Sequence, residues 1–323
     1  MPASAILNGV ILHATPGSVP PEMTWPRVLT GWTLEPVPLL AVLVTAALYL
    51  GAVRRLKQRG DHWSVGRSLA FVVGGLGSVL IATQSFLGTY DTVLIWVHMV
   101  QHMMLSMIVP IFLALGAPIT LLLRVSGSRT HRLVLRVLHS KVAAVLTFPV
   151  VAGLLFVLNP YVLYFTPLYQ ATLEHAWLHD LNHLHFVLIG CLWFWPLIGV
   201  DPMPRRMPYG FRMLAAFATM PFHAWLGVTI MSSSTLIAED WYLNLGRTWG
   251  PSPLQDQRMA GGILWTAGEL VSLLIFGALF VQWMRESERE ARREDRRLDR
   301  IDAEVARAER GLPVEGLPAE PQP

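Results

Sequence analysis

The sequence has little cysteine, which stabilises many secreted domains, and few charged residues, which keep soluble domains hydrated. It contains a single cysteine, Cys191, among 323 residues, which excludes a disulfide framework and a thiolate metal cage. Charged residues make up 15% of the chain, against about 25% in ordinary soluble domains. Because long stretches carry no charge at all, the composition predicts that much of the protein surface faces lipid.

Long apolar segments are what the sequence has instead. Seven of them are long enough to cross a hydrocarbon layer about 30 Å thick as helices. They lie at about 37–53, 68–87, 93–117, 142–160, 177–200, 211–232 and 259–284. Prolines inside four of these segments are compatible with membrane helices, in which neighbouring groups satisfy the freed carbonyls. The predicted fold is an all-α membrane protein, a bundle of seven transmembrane helices.

Lysine and arginine are distributed unequally between the two sides of this bundle. One side, formed by alternate connections and the segment after the last span, holds 22 of the 25 basic residues, since only Arg27, Arg247 and Arg258 lie on the other. Basic connections stay in the cytoplasm, so the N-terminus is predicted outside and the C-terminus inside. No nucleic-acid partner is expected, because the positive charge indicates orientation in a membrane.

This orientation divides the chain into three predicted parts. Residues 1–36 form an extracytoplasmic N-terminal segment, and residues 37–284 form the seven-helix transmembrane domain. Residues 285–323 form a charged cytoplasmic helical extension and a disordered tail. In the extension, acidic and basic side chains recur one helical turn apart, which is typical of a solvated helix.

Two stripes of histidine lie in or near the predicted spans. His98 and His102 are four residues apart in the third span, so they share one helix face. His175, His179 and His183 repeat at the same spacing as the chain enters the fifth span. Both stripes enter from the predicted outer side, which places His102 and His183 at comparable depth. Ionisable side chains are costly in hydrocarbon, so these residues are candidates for function.

Two facing pairs of histidine would bring up to four imidazoles into one volume. Neutral imidazole binds copper, zinc, iron and nickel, and histidine is also the usual axial ligand of haem. Met99 adds a thioether, which favours Cu(I), although methionine stripes are common in ordinary packing. An alternative is that the histidines hydrogen-bond between helices. The predicted metal ligands are His98, His102, His175, His179 and His183.

Two further ionisable residues fall near the middle of their predicted spans. His223 lies in the sixth span and Glu269 in the seventh, each about ten to twelve residues from the outer end. At this shared depth the two side chains could meet. A pair of this kind would relay protons, orient a ligand or form a structural bond between helices.

Four segments carry a family resemblance. They are HMVQHMMLSMIVP (98–110), HDLNHLHFVLIGCLWFWP (179–196), MPFHAWLG (220–227) and DQRMAGGILW (256–265). Together with the seven spans, they resemble the CtaG-type assembly proteins of caa-type cytochrome c oxidase, which are found in bacterial membranes. The resemblance covers nearly all of residues 37–284.

This resemblance implies an assembly factor that helps to provide copper to the haem–copper oxidase, and not an enzyme. The expected partners are oxidase subunits and the lipid bilayer of the bacterial cell membrane. Carried over, the family's candidate metal ligands are His98, His102, His179 and His183, and Asp256 with Gln257 matches its polar motif before the last span. The chain has no CxC or CxxC, so any copper needs histidine or methionine ligands.

Two other functions remain open at this level. One is a membrane electron-transfer protein in which facing histidines bind a b-type haem, in a pocket that the small residues Gly74, Gly75 and Gly77 would permit. The other is an intramembrane zinc hydrolase, in which three histidines hold the metal and a carboxylate acts as base. The serines at positions 232, 233 and 234 would then matter.

Overall fold

The computed structural model of the chain describes residues 19–204 and 207–310. Within these ranges the regular structure is helical and contains no strand. The predicted all-α membrane fold is therefore confirmed. Two predictions fall on other residues: the first half of the N-terminal segment (1–18) and the disordered tail (311–323) lie outside the described ranges.

Among the described residues, six helices are long and apolar enough to cross a membrane, and one bent pair of helices makes a seventh candidate. We number these candidate spans one to seven in chain order. They are Pro36–Gln58, Val65–Tyr90, Ile95–Val125, Pro149–Tyr164 with Leu168–Glu174, Ala176–Ile198, Tyr209–Ser232 and Pro253–Arg307. Shorter helices lie at Trp25–Thr30, Ser128–Leu138, Lys141–Leu146 and Glu239–Asn244.

The fourth span differs from its predicted bounds of 142–160. The chain first forms a short helix, Lys141–Leu146, and a new helix begins at Pro149. Proline suits the first position of a helix because the N–H it lacks would have no partner there. A second break before Leu168, beside Pro167, bends the chain by 68°. Taken as one span, the bent pair starts later than predicted, at Pro149, and extends through the bend to Glu174.

Apolar side chains lie on the outside of the first unit of the chain, Met1–Phe276. Leu48, Trp225 and Leu274 are 71%, 70% and 65% exposed. Soluble monomers rarely expose apolar surface on this scale, whereas lipid solvates it. The protein is accordingly a multi-pass membrane protein.

The second unit, Gly277–Pro323, contains the charged part of the helix Pro253–Glu309. Its side chains form ion pairs one turn apart, such as Arg289 with Glu286 at 3.4 Å between Nη1 and Oε2. These exposed pairs support the local helix, each by a small amount.

The second and third spans each contain a turn of π-helix, at Ala70–Leu76 and at Met104–Ile108. The second π turn directly follows the helix that carries His98 and His102. Gly190 of the fifth span lies against this turn, so closely that a Cβ atom there would overlap the carbonyl oxygen of Ser106. The third and fifth spans therefore meet at the level where both carry histidines.

Asp256, at the start of the seventh span, caps the third span. Its carboxylate accepts hydrogen bonds from the backbone N–H groups of Ile95 and Trp96, each at 3.0 Å. Arg247 lies 3.7 Å from the same carboxylate. The N–H groups of a first helical turn have no partners within the helix, so this buried cap fixes the end of the helix that carries the first histidine pair.

Candidate metal centre

The structure brings together four of the five predicted histidines. The ring centroids of His98 and His102 lie 3.8 Å apart, and those of His179 and His183 lie 4.3 Å apart. Across the two spans, His98 faces His179 at 5.7 Å and His102 faces His183 at 6.1 Å. All four side chains are buried, the most exposed at 5%. The two HxxxH pairs therefore form one cluster.

His175 does not join this cluster. The fifth span begins at Ala176, and His175 precedes it with an extended backbone. The four-residue helical spacing that aligns His179 with His183 therefore does not extend back to His175. Its side chain is exposed, and Nδ1 lies 3.1 Å from the carbonyl oxygen of Ala171.

Three of the clustered histidines can converge on one ion. One ring nitrogen from each of His98, His102 and His179 lies within 4.8 Å of the other two. We call these residues the histidine triad. Among the described residues, neither ring nitrogen of His98 makes a hydrogen bond of ordinary geometry, and neither does Nε2 of His102. Buried polar atoms rarely lack hydrogen bonds, so these nitrogens fit a site that binds an ion.

Gln101 links the cluster to a buried carboxylate. Its Nε2 donates to the carbonyl oxygen of Ala82 at 3.0 Å and to Oδ2 of Asp91 at 2.8 Å. A carbonyl oxygen only accepts, so the amide nitrogen must face Ala82, and Oε1 must face His183 Nε2, 3.0 Å away. His183 then donates from Nε2, which leaves the lone pair of its ring on Nδ1.

Asp91 lies beside the cluster in the connection between the second and third spans. Its side chain is fully buried, and Oδ2 lies 3.8 Å from His179 Nε2. Burial raises the pKa of the Asp91 carboxyl to about 7. Burial, with the nearby acidic groups of Asp91 and Asp180, raises the pKa of Glu35 to about 9. Several acidic groups thus share a poorly hydrated volume next to the histidines.

The site residues predicted from the sequence did not include Gln101, Asp180, Asp91 or Glu35. Two of them had a signal, since Gln101 lies between two histidines in HMVQH and Asp180 directly follows His179. No signal in a single sequence could have shown that Asp91 and Glu35 approach the histidines, because they belong to different parts of the chain.

Aromatic and thioether groups enclose the cluster. The hydroxyl oxygen of Tyr164 lies 3.3 Å from His102 Nδ1, and the same hydroxyl donates a hydrogen bond to Met99 Sδ at 3.6 Å. The Phe186 ring centroid lies 4.2 Å from that of His102. Met99, His102 and His223 line a cavity of about 20 Å³, room for roughly one water molecule. The surroundings are therefore largely dry.

The structure shows no bond between His223 and Glu269. Nδ1 of His223 lies 3.3 Å from the carbonyl oxygen of Thr219, and Oε1 of Glu269 is buried without a hydrogen-bond partner among the described residues. The residue that faces His223 is Gly268, where a Cβ atom would lie 3.5 Å from His223 Cβ. Successive helix residues point about 100° apart, so Glu269 projects to another side.

The glycines and one of the serines cited for the two alternative functions have packing or loop roles in the structure. The space beside Gly74 is filled by Phe112 and that beside Gly75 by Leu113, so these glycines serve close packing of the second and third spans and not a haem pocket. Ser233 bonds within its own loop, to the carbonyl oxygen of Thr235. The polar motif is also structural: Gln257 accepts a hydrogen bond from Ile237 N at 2.7 Å.

Comparison with known proteins gives a consistent match. A family model described as cytochrome c oxidase caa3 assembly factor matches residues 47–286. Uncharacterized proteins of Mycobacterium bovis and Mycobacterium tuberculosis are each 37% identical over 282 residues, and one of Mycobacterium leprae is 35% identical over 279. Each alignment covers 84% of this chain and 42% of the relative, so the chain spans about two fifths of their length. No solved structure matches.

Proposed function

The chain belongs to the cytochrome c oxidase caa3 assembly factor family, and we propose that it binds copper and helps to deliver it to the haem–copper oxidase. Copper is its cargo, so the protein acts as an assembly factor and not as an enzyme. It works in the bacterial cell membrane, with the histidine cluster toward the outer face. The observation that carries this proposal is the buried histidine triad, with ligand atoms within 4.8 Å of one another.

The donor set of the histidine triad suits copper. Three imidazoles supply neutral nitrogen ligands, which bind copper and zinc but not magnesium or calcium. No carboxylate belongs to this triad, and Met99 is 1% exposed close by, so the environment is soft and poorly hydrated. Such an environment favours Cu(I) over ions that prefer oxygen ligands. A factor that serves a copper-containing oxidase has a use for this selectivity.

Residues around the triad hold its ligands in place. Asp256 fixes the first turn of the helix that carries His98 and His102, and Tyr164 contacts His102 through its hydroxyl. Gln101 orients His183 and Asp91 on the other side. Outer groups of this kind set the orientation and tautomer of metal-binding imidazoles. The chain therefore offers a largely preformed site.

Copper titration of the purified protein tests the proposal. We expect wild-type protein to bind Cu(I), and His98→Ala, His102→Ala and His179→Ala each to weaken binding by more than the roughly 10–100-fold that loss of an outer-shell partner costs. His131→Ala and His139→Ala are matched controls, because these residues contact helix carbonyls far from the cluster in sequence. Each ligand variant should also leave the cell's oxidase poorly active.

Two results would contradict the proposed copper function. If the three ligand variants bind as much copper as wild type and support normal oxidase activity, the histidines are interhelical hydrogen-bonding groups. Zinc at full occupancy in protein purified without added metal, with no exchange for copper, would instead favour a zinc protein.

A further inference from the structure

Two more groups of ligand atoms adjoin the histidine triad. Asp91, His179 and His183 form the middle triad, and Glu35, Asp180 and His183 form the groove triad. In each triad the three ligand atoms lie within 4.8 Å of one another. The middle triad shares His179 with the histidine triad and shares His183 with the groove triad. The three groups therefore form a row of overlapping sites.

The middle triad has the features of a binding site beyond its spacing. Asp91 is fully buried, and among the described residues its Oδ1 makes no hydrogen bond of ordinary geometry; the backbone N–H groups of Thr92 and of Asp91 itself interact with the carboxylate only loosely. A buried carboxylate oxygen in this state is costly, and a cation between it and the two imidazoles would satisfy it. The Asp91 side chain is anchored by Gln101 at its other oxygen, Oδ2.

The groove triad lies near the start of two spans. Glu35 directly precedes the first span, and Asp180 lies in the second turn of the fifth. Asp180 and His183 line a groove of about 790 Å³ whose walls come from the first, second, third and fifth spans and are mostly apolar, such as Val37 and Leu184. Asp180 is half-buried, whereas every member of the histidine triad is at most 2% exposed. An ion that arrives from the predicted outer side of the membrane therefore meets the groove triad before the histidine triad.

We propose that the groove triad is an entry and exit site for a metal cation, which passes to the histidine triad by ligand exchange through the middle triad. The inference rests on the proposed function, since the histidine triad is the destination. At each step a bond to an incoming ligand forms before a bond to an outgoing one breaks. No electron is transferred, and the oxidation state of the ion is unchanged.

Shared ligands make this path physically reasonable. A cation without ligands is strongly disfavoured in a poorly hydrated interior, but His183 and then His179 remain bound during the two transfers. The donors also change along the path, from two carboxylates and one imidazole to three imidazoles. Carboxylate oxygens hold copper more weakly than imidazole nitrogens do, so the first contact is brief and the last is retained. The path thus leads from a weakly selective entrance to a selective site.

The test measures how fast copper moves. Cu(I) is offered in complex with a coloured chelator, and its transfer to purified protein is followed by absorbance. For the double variant Glu35→Gln with Asp180→Asn we expect uptake and release to slow by about tenfold or more, the scale of losses at groups next to a metal, with copper bound at equilibrium unchanged. Asp91→Asn should slow both rates similarly. Glu174→Gln, an exposed outer-side carboxylate, is the matched control.

The Glu35 variant should fold, because Gln84 holds the backbone of that residue and not its carboxylate. Glu35 N donates to Gln84 Oε1 at 2.9 Å, and Gln84 Nε2 donates to Glu35 O at 3.0 Å. Glu35→Asp with Asp180→Glu retains both carboxylates and should recover part of the rate. If copper transfer in the Glu35→Asp with Asp180→Glu variant is as slow as in the Glu35→Gln with Asp180→Asn variant, the carboxylates have no ligand role.

Two outcomes distinguish a failure of the proposed entry path from a failure of the proposed function. Suppose that Glu35→Gln with Asp180→Asn, and also Asp91→Asn, exchange copper at the wild-type rate while His98→Ala loses its copper. The proposed entry path is then wrong, and the copper site at the histidine triad stands. If wild-type protein takes up no copper under any condition, both fail together.

Discussion

Gln101 is the residue through which the two histidine stripes and Asp91 are joined. It lies between His98 and His102 in the sequence, yet its amide bonds to Asp91, to His183 and to the backbone of Ala82. One buried amide thus fixes a carboxylate and the tautomer of an imidazole at once. Networks of this kind are costly to disrupt because every partner is buried.

Replacing Gln101 by leucine should therefore weaken the metal site without removing a ligand. We expect Gln101→Leu to lower Cu(I) affinity by about 10–100-fold while the amount bound at saturation stays the same. Competition with a chelator of known affinity measures the change. Gln170→Leu is the control, since Gln170 is half-buried and its side chain bonds to Glu174, outside the histidine cluster. Unchanged affinity in Gln101→Leu would show that the network does not support the site.

The sequence could predict which histidines share a helix face but not where that face begins or what lies opposite. The four-residue spacing placed His98 with His102 and His179 with His183, as the structure shows. The same spacing included His175, which the helix does not reach. Similar depth suggested a bond from His223 to Glu269, but rotation about the helix axis decides contact, and hydropathy does not report it.

At the scale of elements, the contact of Gly190 with the π turn of the third span sets the distance between the histidine stripes. A Cβ atom at Gly190 would overlap the carbonyl oxygen of Ser106 and also meet the Pro110 ring at 2.5 Å. A backbone carbonyl cannot move aside as a flexible side chain can. Any larger residue must therefore push the two spans apart.

Gly190→Ala should accordingly destabilise the protein and loosen the metal site. Overpacking of this kind costs about 1–3 kcal/mol, so thermal unfolding in detergent should occur at lower temperature and copper affinity should fall. Gly51→Ala is the matched control, because nothing lies within 4 Å of a Cβ there and alanine favours the helix. A Gly190→Ala protein with wild-type unfolding temperature and copper affinity would contradict the role of this contact.

Helix existence was predictable from the sequence, but interruptions within helices were less so. The thickness of the bilayer sets the minimum length of an apolar run that can cross it. Seven runs of that length could therefore be recognised in the sequence. The bend after Tyr164 follows from Pro167 and neighbouring residues, yet the apolar pattern continues across it. The π turns at Ala70–Leu76 and Met104–Ile108 leave no clear trace in composition, because they depend on packing against neighbouring spans.

For the whole molecule, the distribution of lysine and arginine predicts one orientation. Reporter fusions near residues 60 and 130 should give cytoplasmic signals, and fusions near 170 and 245 should give outer-side signals, because 22 of 25 basic residues lie on one side. The groove triad and the histidine cluster would then open to the outer side. An outer-side signal near 130 would reverse the map and place copper entry in the cytoplasm.

The π turn at Met104–Ile108 also has a consequence for how this chain can change during evolution. A π turn holds one more residue than an α turn over the same advance, so the helix before it and the helix after it stay in phase. Losing one residue within the turn would therefore restore regular helix and leave His98 and His102 facing the fifth span. Losing one residue between His98 and His102 would instead rotate one imidazole by about 100° relative to the other and break up the pair in a single step.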